Sequence, residues 1–390
     1  MTSTRQWWRR ATAVAKDKWS ICVTRAMGAR HLYRRSPEME AAVIRATSHD
    51  ERSVDYKNAG RVFAWARAAP SSLLASLMWT VARRASRTRS WPVALKCLLL
   101  AHGLILCSHD APPAARVGRL PFDLSDFHDR YSDSPGFSAF IRAYFRFLDH
   151  RSLLPALKGS ASASPVSETE EDRDGNGDDD DDLERLESLQ LLLDLLMQIR
   201  PYADGMEVEL VLEAMDCAVI EIFDVYSGIC SGIAHFLVGV LGPDPEKPEA
   251  TTEAMKQRRA AGMQVLRRAR AQSAQLSAYF ELCRALGVLN AAELPPVEGI
   301  PEQDMDDIER MMLCITQGSD DEAEERNRKT PEGGSMTVTA DEWVVFEDEN
   351  HSVNSILDFP DQISPSKLWA PVEKPGPTVA NGNLRDLISL

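Results

Sequence analysis

Apolar residues recur at helical spacing along the first 317 residues of this chain, and strand-like alternation is nearly absent. The stripe Phe137, Phe140, Ile141, Tyr144 and Leu148 is typical, because residues three or four apart lie on one face of a helix. Proline-containing breaks separate such stripes. Helices are predicted over residues 6–27, 36–47, 56–68, 71–87, 92–107, 134–149, 183–199, 205–241, 252–287 and 302–315. Consecutive helices joined by short turns predict an all-α bundle or solenoid.

Two segments lack the apolar residues that a packed core needs. Residues 159–182 are rich in glycine, serine and alanine and then acidic, which predicts a disordered loop. Residues 318–390 are polar and acidic with isolated apolar islands, and we expect a disordered tail there. The packed domain is therefore expected to occupy residues 1–317, with the acidic loop inside it.

The run from Val225 to Pro243 contains no charged residue and is long enough to raise the possibility of a membrane span. Its helical pattern continues upstream through Glu209, Glu213 and Glu221. Carboxylates within the same helix favour one long helix of a water-soluble domain with a buried end over a membrane span.

Charge is distributed very unevenly along the chain. Residues 1–120 hold 21 Lys or Arg and 7 Asp or Glu (net +14), whereas the other 270 residues hold 23 and 52 (net −29). The net charge of −15 for the whole chain hides this asymmetry. We therefore expect the first part of the chain to meet an anionic partner.

Tryptophans and basic residues alternate in the first predicted helix. They are Trp7, Trp8 and Trp19 with Arg9, Arg10, Lys16 and Lys18. Indole rings and cations together suit an anionic membrane interface, although nucleic acid would attract the same charge and a solvated helix face would explain it too.

A second basic cluster consists of Arg83, Arg84, Arg87 and Arg89. These arginines could bind a ligand or form surface salt bridges.

Catalytic chemistry has little support in the sequence. Three His-Asp dipeptides, at 49–50, 109–110 and 128–129, would suit a metal-dependent phosphohydrolase, but turns and helix ends explain the first two. The seven cysteines are scattered without a CxxC pair, which favours a reducing compartment over a disulfide framework. No catalytic residue, metal ligand or cofactor is predicted.

Five stretches along residues 10–317 resemble one known family in their order and approximate spacing. They are Arg45–Asp50, Trp91–Lys96 followed by His102, Phe122–Phe127, Phe140–Tyr144, and Ser277–Glu281 followed by Leu286–Val288. They are similar to the ANTH-domain clathrin assembly proteins, especially the plant branch. The resemblance implies a superhelical solenoid of about ten helices that binds phosphoinositides, followed by a tail that recruits clathrin.

The family's lipid-binding motif has counterparts in this chain. Arg45 and Lys57 stand where the motif has cations, whereas Asp55 stands in place of a lysine and Asn58 in place of a histidine or tyrosine. A carboxylate repels phosphate, so the resemblance implies general affinity for anionic membranes more strongly than selectivity for phosphatidylinositol 4,5-bisphosphate. Two ordinary solvated cations remain an alternative for Arg45 and Lys57.

The tail contains short apolar strings that resemble coat-binding peptides. Trp343 and Phe346, followed by Glu347 and further acids, resemble the WxxF-acidic peptides that dock on adaptor appendage domains. Two looser strings resemble clathrin boxes, one with Leu357 and Phe359 and the other with Asp386 and Leu387.

The resemblance as a whole implies a non-enzymatic adaptor between membrane and clathrin coat. The implied partners are phosphatidylinositol 4,5-bisphosphate membranes, clathrin heavy chain, an adaptor-complex appendage and, as in some relatives, a vesicle SNARE, but no nucleic acid. The implied location is the cytoplasmic face of clathrin-coated pits and vesicles, at the plasma membrane or Golgi. A protein-only helical scaffold with a decayed lipid site is the alternative, and the His-Asp hydrolase ranks third.

Overall fold

The computed structural model describes residues 15–22, 37–108, 111–112, 116–132, 134–162, 177–241, 252–293, 297 and 301–311. Within these ranges every regular element is a helix. The α-helices are α1 (15–22), α2 (Pro37–Ala46), α3 (Tyr56–Ala68), α4 (Ala75–Ala85), α5 (Trp91–Cys107), α6 (Pro135–Ser162), α7 (Gly177–Met197), α8 (Glu209–Leu241), α9 (Thr252–Leu286) and α10 (302–311). A π-helical turn, Pro70–Leu74, leads into α4, and a 3₁₀ turn, Leu289–Glu293, follows α9. The all-α prediction is confirmed.

Two helices extend into the segment predicted to be a loop. Helix α6 continues to Ser162 and α7 begins at Gly177, so the loop can span at most residues 163–176, which lie outside the described residues. The prediction of a disordered loop over 159–182 is therefore wrong for 159–162 and 177–182; it rests on self-repulsion among the acids and on the lack of apolar residues. Carboxylates in the first turns of a helix instead interact favourably with its positive end.

Helix α5 forms the centre of the fold. Every residue from Trp91 to Ile105 is buried, and one continuous apolar core joins α2 through α9 around it. Each helix packs mainly on helices one or two places away along the chain, and α5 also contacts α8. A second, smaller apolar cluster lies where α7, α8, α9 and α10 meet.

Asp129 caps the first turn of α5 from a distant loop. Its Oδ1 accepts a hydrogen bond from the Trp91 backbone N–H at 3.0 Å, while Oδ2 accepts from the backbone N–H groups of Tyr131 and Ser132. Ser90, the residue at the N-cap position, supplies no such bond itself. The carboxylate of the 128–129 His-Asp pair is thus buried and occupied in joining a loop to a helix end.

Helix α8 contains the run considered as a membrane span. By length and composition alone, Glu209–Gly239 is the one helix in the described part of the chain that could cross a membrane. Side chains along it, such as Val219, Val225 and Ile229, are buried in the core against neighbouring helices. The core of the domain therefore accounts for part of the apolar character of α8, but the prediction of a buried end is wrong. Among residues 225–239 only Val225, Ile229 and Phe236 are buried and Val238 is 72% exposed, because one face of this part of the helix packs on α7 and α9.

Glycines allow α8 to pack closely on both of its neighbours. A methyl group at Gly232 would lie 2.5 Å from Leu186 of α7, and one at Gly262 of α9 would lie 2.0 Å from the Phe236 ring of α8. Because side chains at these two positions would overlap existing ones, the glycines set how closely the three helices approach.

Candidate functional site

Arg45 and Lys57 lie at the two ends of one loop, residues 47–55. Arg45 is half-buried in the last turn of α2, and Lys57 is exposed in the first turn of α3. Arg61 follows Lys57 by one helical turn, is also exposed, and lies 5.1 Å from the centre of the Trp65 ring. The loop thus separates one cation on α2 from two cations on one face of α3.

Two charged side chains hold this loop from the core side. Lys96 of α5 is 2% exposed, and its Nζ donates to the Asp50 carbonyl oxygen at 2.7 Å and to the Ser48 hydroxyl at 3.3 Å. Glu213 of α8 accepts from the Val54 backbone N–H at 3.2 Å. Burial lowers the pKa of Lys96 and raises the pKa of Glu213. The loop conformation therefore depends on groups remote from it in sequence.

Asp55 and Asn58, the two departures from the lipid motif, are partners of each other. Asp55 is the N-cap of α3: its Oδ1 accepts from the Asn58 backbone N–H at 3.1 Å, and its Oδ2 accepts from the Asn58 side-chain amide at 2.6 Å. By its place in the lipid-binding motif, Asp55 is only a carboxylate that replaces a lysine. The structure shows that it also stabilises the start of α3, so replacing it by lysine would remove a helix cap.

Helix α1 is joined to the same loop through Asp17. The Asp17 carboxylate accepts from the His49 backbone N–H, from His49 Nδ1 and from Arg84 Nη2, each at 2.9 Å. Burial alone would raise the pKa of Asp17, but the hydrogen bonds from His49 and Arg84 hold it below its ordinary value. Lys16 adds a contact with the exposed Tyr131, its Nζ lying 4.8 Å from the ring centre.

The outer side of α1 carries the membrane-type residues. Trp19 is 73% exposed, and Lys16 and Lys18 are exposed as well. Trp19 is two residues from Asp17, which places it on roughly the opposite face of the helix. The structure therefore brings Lys16 and Lys18 onto an element docked against the loop between Arg45 and Lys57. Arg9 and Arg10 lie outside the described residues.

The second arginine cluster forms salt bridges in its described contacts. Arg83 pairs with Glu40 of α2 at 3.2 Å, and Arg84 pairs with Asp17. Of the two interpretations offered by the sequence, salt bridging is confirmed for these two residues.

In the described part of the chain, no group of three or more His, Cys, Asp or Glu side chains is placed to hold a metal ion. The His49 ring contacts Asp17, and the Asp50 side chain accepts from the Arg52 backbone N–H at 3.2 Å. The ring of His49 and the carboxylate of Asp50 thus bind different partners and do not act together. The 109–110 pair lies outside the described residues.

Sequence reasoning missed Asp17, Arg84 and Lys96 as parts of this surface. Asp17 lies within a basic segment and nothing local indicates that its carboxylate contacts the loop, while Lys96 lies in an apolar run that gives no sign of where its ammonium group ends. The tail residues with predicted coat contacts lie outside the described residues. They are Trp343, Phe346, Glu347, Leu357, Phe359, Asp386 and Leu387.

Comparison with known proteins gives one family. A sequence model of the ANTH domain matches residues 38–313. Two proteins of Arabidopsis thaliana, both named "Putative clathrin assembly protein", are 39% identical over 88% of this chain and 87% of their own length, and 37% identical over 88% of each. A third with the same designation, from the same organism, is 34% identical over 80% of this chain and 84% of its own.

Proposed function

Because the chain belongs to the ANTH-domain family, we propose that it is a non-enzymatic adaptor that connects anionic phosphoinositide membranes to the clathrin coat in endocytosis. The names of its relatives support the clathrin side of this proposal. The membrane side rests on one observation: α1 presents Trp19 and Lys18 to solvent, with the exposed Lys16 beside Tyr131, while Asp17 docks the helix on the loop between Arg45 and Lys57.

Physical chemistry explains how this surface would bind a membrane. An exposed indole gains by entering the headgroup region, and each lysine or arginine near an anionic leaflet contributes about 1 kcal/mol. Arg45, Lys57 and Arg61 would add cations at the two ends of the loop on which α1 docks. Arg9 and Arg10 would extend the same basic segment toward the N-terminus.

The acidic residues of the loop argue for broad anionic affinity. Asp50 and Glu51 are exposed, and Asp55 is half-buried beside Lys57. Their charges oppose those of the neighbouring cations, so a multiply charged headgroup meets a mixed surface. We propose that phosphatidylinositol 4,5-bisphosphate contributes charge to binding without being strongly selected.

The tail would supply the coat contacts. Trp343 and Phe346 are proposed to bind an adaptor appendage, and the strings around Leu357 and Leu387 are proposed to contact clathrin heavy chain. These partners place the protein on the cytoplasmic face of coated pits and vesicles, at the plasma membrane or the Golgi. A vesicle SNARE is a further candidate partner of the helical domain.

Binding of the full chain to vesicles tests the membrane proposal. The chain is expected to co-sediment with phosphatidylcholine vesicles that contain phosphatidylserine or phosphatidylinositol 4,5-bisphosphate. Since screening limits the reach of exposed charges to about 8 Å at physiological ionic strength, binding should fall steeply with added salt. The double variant Arg45→Gln/Lys57→Gln should bind about tenfold or more weakly.

Arg267→Gln is the matched control for these substitutions. Arg267 is an exposed arginine on α9, where it pairs with Glu309 of α10, so its loss removes charge from another part of the domain. Equal losses in the control and in the double variant would contradict the assignment of Arg45 and Lys57. If vesicle binding by the wild-type chain changes with neither lipid charge nor salt, the result would instead favour a protein-only scaffold.

Asp55→Asn separates the charge at position 55 from its role as a helix cap. Asparagine can still accept from the Asn58 backbone N–H, so α3 keeps its cap while one negative charge is removed. Affinity for vesicles with phosphatidylinositol 4,5-bisphosphate is expected to rise about fivefold, and the melting temperature to change little. Asp55→Ala, which removes charge and cap together, should lower the melting temperature. Unchanged affinity in Asp55→Asn would show that bound phosphate does not approach this position.

A further inference from the structure

Three arginines, on α6 and just after α7, have no acidic partner among the described residues. Arg142 and Arg146 are four residues apart on α6, so their side chains lie on one face of that helix. Arg200 follows the end of α7 by three residues. Arg146 and Arg200 are exposed and form no side-chain contact with the described part of the chain, whereas Arg142 donates from Nη1 to the Phe127 carbonyl oxygen at 2.9 Å. We call these three residues the arginine cluster.

The arginine cluster lies close to Tyr202, in the segment between α7 and α8. This segment packs on the first turn of α6, since a methyl group at Gly136 would lie 2.5 Å from Met206 Sδ. Tyr202 is 43% exposed, and its hydroxyl donates to the Gln198 carbonyl oxygen at 2.6 Å. Burial raises the pKa of Tyr202, and the charges of all three arginines oppose that rise. The four side chains therefore share one partly exposed patch.

The chemistry of this patch suits the carboxylates of a peptide. A guanidinium group can bind a carboxylate through two parallel hydrogen bonds, and arginine and tyrosine are enriched among the residues that contribute most to protein–protein binding. Asp204 and Glu207 are exposed in the same segment. They would repel a flat anionic membrane, whereas a peptide can place its carboxylates on the arginines without approaching these two acids. The patch therefore fits an acidic peptide better than a membrane.

Contacts along α9 relate the end of α10 to this patch. Glu309 of α10 pairs with Arg267 of α9 at 2.8 Å. Tyr279, twelve residues farther along α9, donates to the carbonyl oxygen of Ile199 at 2.9 Å, directly before Arg200. Since an α-helix rises about 1.5 Å per residue, these two contacts are about 18 Å apart along α9. The chain therefore leaves α10 on the order of 20 Å from the arginine cluster.

A strongly acidic segment begins nine residues after the described end of α10. Within residues 320–325 five of the six side chains are carboxylates and none is basic: they are Asp320, Asp321, Glu322, Glu324 and Glu325. Nine residues of extended chain span up to about 30 Å, which is enough to bring this segment to the patch. Because segment and patch belong to one chain, the effective concentration is roughly millimolar, so a few exposed ion pairs suffice for binding.

We propose that the arginine cluster and Tyr202 form a docking site for an acidic peptide segment, and that residues 320–325 of the same chain occupy it. The contact lies within the protein and does not depend on the proposed membrane function. Docking would hold the beginning of the tail against the helical domain, and so would limit how far the proposed coat-binding strings extend from that domain. A competing acidic ligand of higher affinity would release the tail.

Carbodiimide cross-linking of the full chain tests this contact. The reagent joins a lysine amine to a carboxylate that touches it, so Arg146→Lys/Arg200→Lys places two reporter amines in the patch and keeps both positive charges. Mass spectrometry is expected to find intrachain links from positions 146 and 200 to residues 320–325. The yield of these links should fall about fivefold when added salt screens the ion pairs.

Arg87→Lys/Arg185→Lys is the matched control for cross-linking. Both arginines are exposed and have no side-chain partner among the described residues. Lysines at these two positions should give no link to residues 320–325, because they lie outside the proposed docking site.

Trypsin cleavage after Arg326 gives a second readout without lysine in the patch. In Arg146→Gln/Arg200→Gln this cleavage should be about fivefold faster than in the wild type, because the loss of two exposed ion pairs frees the acids beside Arg326. Arg87→Gln/Arg185→Gln should leave the rate unchanged. The cleavage rate decides the question if lysine cannot replace arginine in the patch.

Four results would contradict the proposal. Links that join two copies of the chain would assign the patch to self-association, and equal yields in the control would show unspecific attraction. A lack of intrachain links together with an unchanged cleavage rate would mean that residues 320–325 do not dock there. If Arg146→Gln/Arg200→Gln instead loses binding to phosphatidylserine vesicles while its cleavage rate stays that of the wild type, the patch is a membrane contact.

Discussion

Replacing Arg151 with methionine is expected to lower the free energy of unfolding by about 3–5 kcal/mol. Arg151 of α6 donates from Nε to Oε1 of Glu221 on α8, and Glu221 is 1% exposed. Methionine fills much of the same volume but leaves the carboxylate buried without the cation beside it. Uncompensated charge in the core is one of the few mechanisms by which a single substitution costs this much.

The Glu221 carboxylate belongs to a hydrogen-bonded network that spans three helices. His102 of α5 contacts Glu221 through Nε2 at 3.4 Å and the Tyr144 hydroxyl through Nδ1 at 3.0 Å. A carboxylate only accepts, so His102 donates to it from Nε2, and in a neutral ring Nδ1 then accepts from Tyr144. The network therefore joins α5, α6 and α8 through one buried negative charge.

A double-mutant cycle isolates the interaction between the two charges. Glu221→Gln should also be costly, because it leaves the Arg151 guanidinium beside a neutral amide. In Arg151→Met/Glu221→Gln both charges are gone, and the glutamine oxygen can still accept from His102. The double variant is expected to lose less stability in urea unfolding than the sum of the single losses. Additive losses would mean that the two side chains do not stabilise each other.

The pH dependence of unfolding gives a second readout of the same pair. Burial alone would raise the pKa of Glu221, but the Arg151 guanidinium and the hydrogen bond from His102 hold it well below its usual range. The unfolded carboxyl titrates near its ordinary pKa of about 4.3 and so binds a proton that the folded one does not. The contribution of ionised Glu221 to the free energy of unfolding is complete above that pH. It is lost as the pH falls toward the pKa of the carboxyl in the folded state. Acidification should therefore destabilise the wild type more than the double variant.

The sequence predicted the helices well because their apolar stripes are local. The predicted bounds of α3 and α5 agree with the observed ones within a residue, and α9 ends where Gly287 allows the chain to turn with a φ of 77°. The predicted boundaries are wrong at α6 and α7, because the composition between them predicts a longer loop than the structure has. The acidic start of α7 satisfies the helix terminus, an effect of charge position that composition does not capture.

The candidate site was only partly predictable because its geometry arises from tertiary contacts. Arg45 and Lys57 could be located through a motif, since both lie near one loop in the sequence. The contact between Asp17 and Arg84 joins residues 67 positions apart, and no local pattern marks it. The role of Asp55 as a cap could have been recognised, because an aspartate directly before a helix is a standard N-cap signal.

Replacing Trp343 and Phe346 with alanine is expected to abolish capture of the chain by an adaptor appendage domain. A short peptide that docks through two aromatic side chains should have a Kd in roughly the micromolar range, which corresponds to a binding free energy of about −8 kcal/mol. Ordering the segment on binding costs free energy that the two anchors must offset, so the loss of both leaves too little affinity for capture. The acids that follow Phe346, beginning with Glu347, would complement a basic rim on the partner.

Trp369→Ala is the matched control for this experiment. Trp369 lies in the same tail but has Val372, not phenylalanine, three residues later, so it lacks the second anchor. The control should retain capture, and the double variant should still co-sediment with anionic vesicles as the wild type does, because the residues proposed for membrane contact lie in or next to the helical domain. Capture that survives in Trp343→Ala/Phe346→Ala would instead assign the coat contact to residues 356–359 or 384–390, where Leu357, Phe359 and Leu387 would then be the anchors to remove.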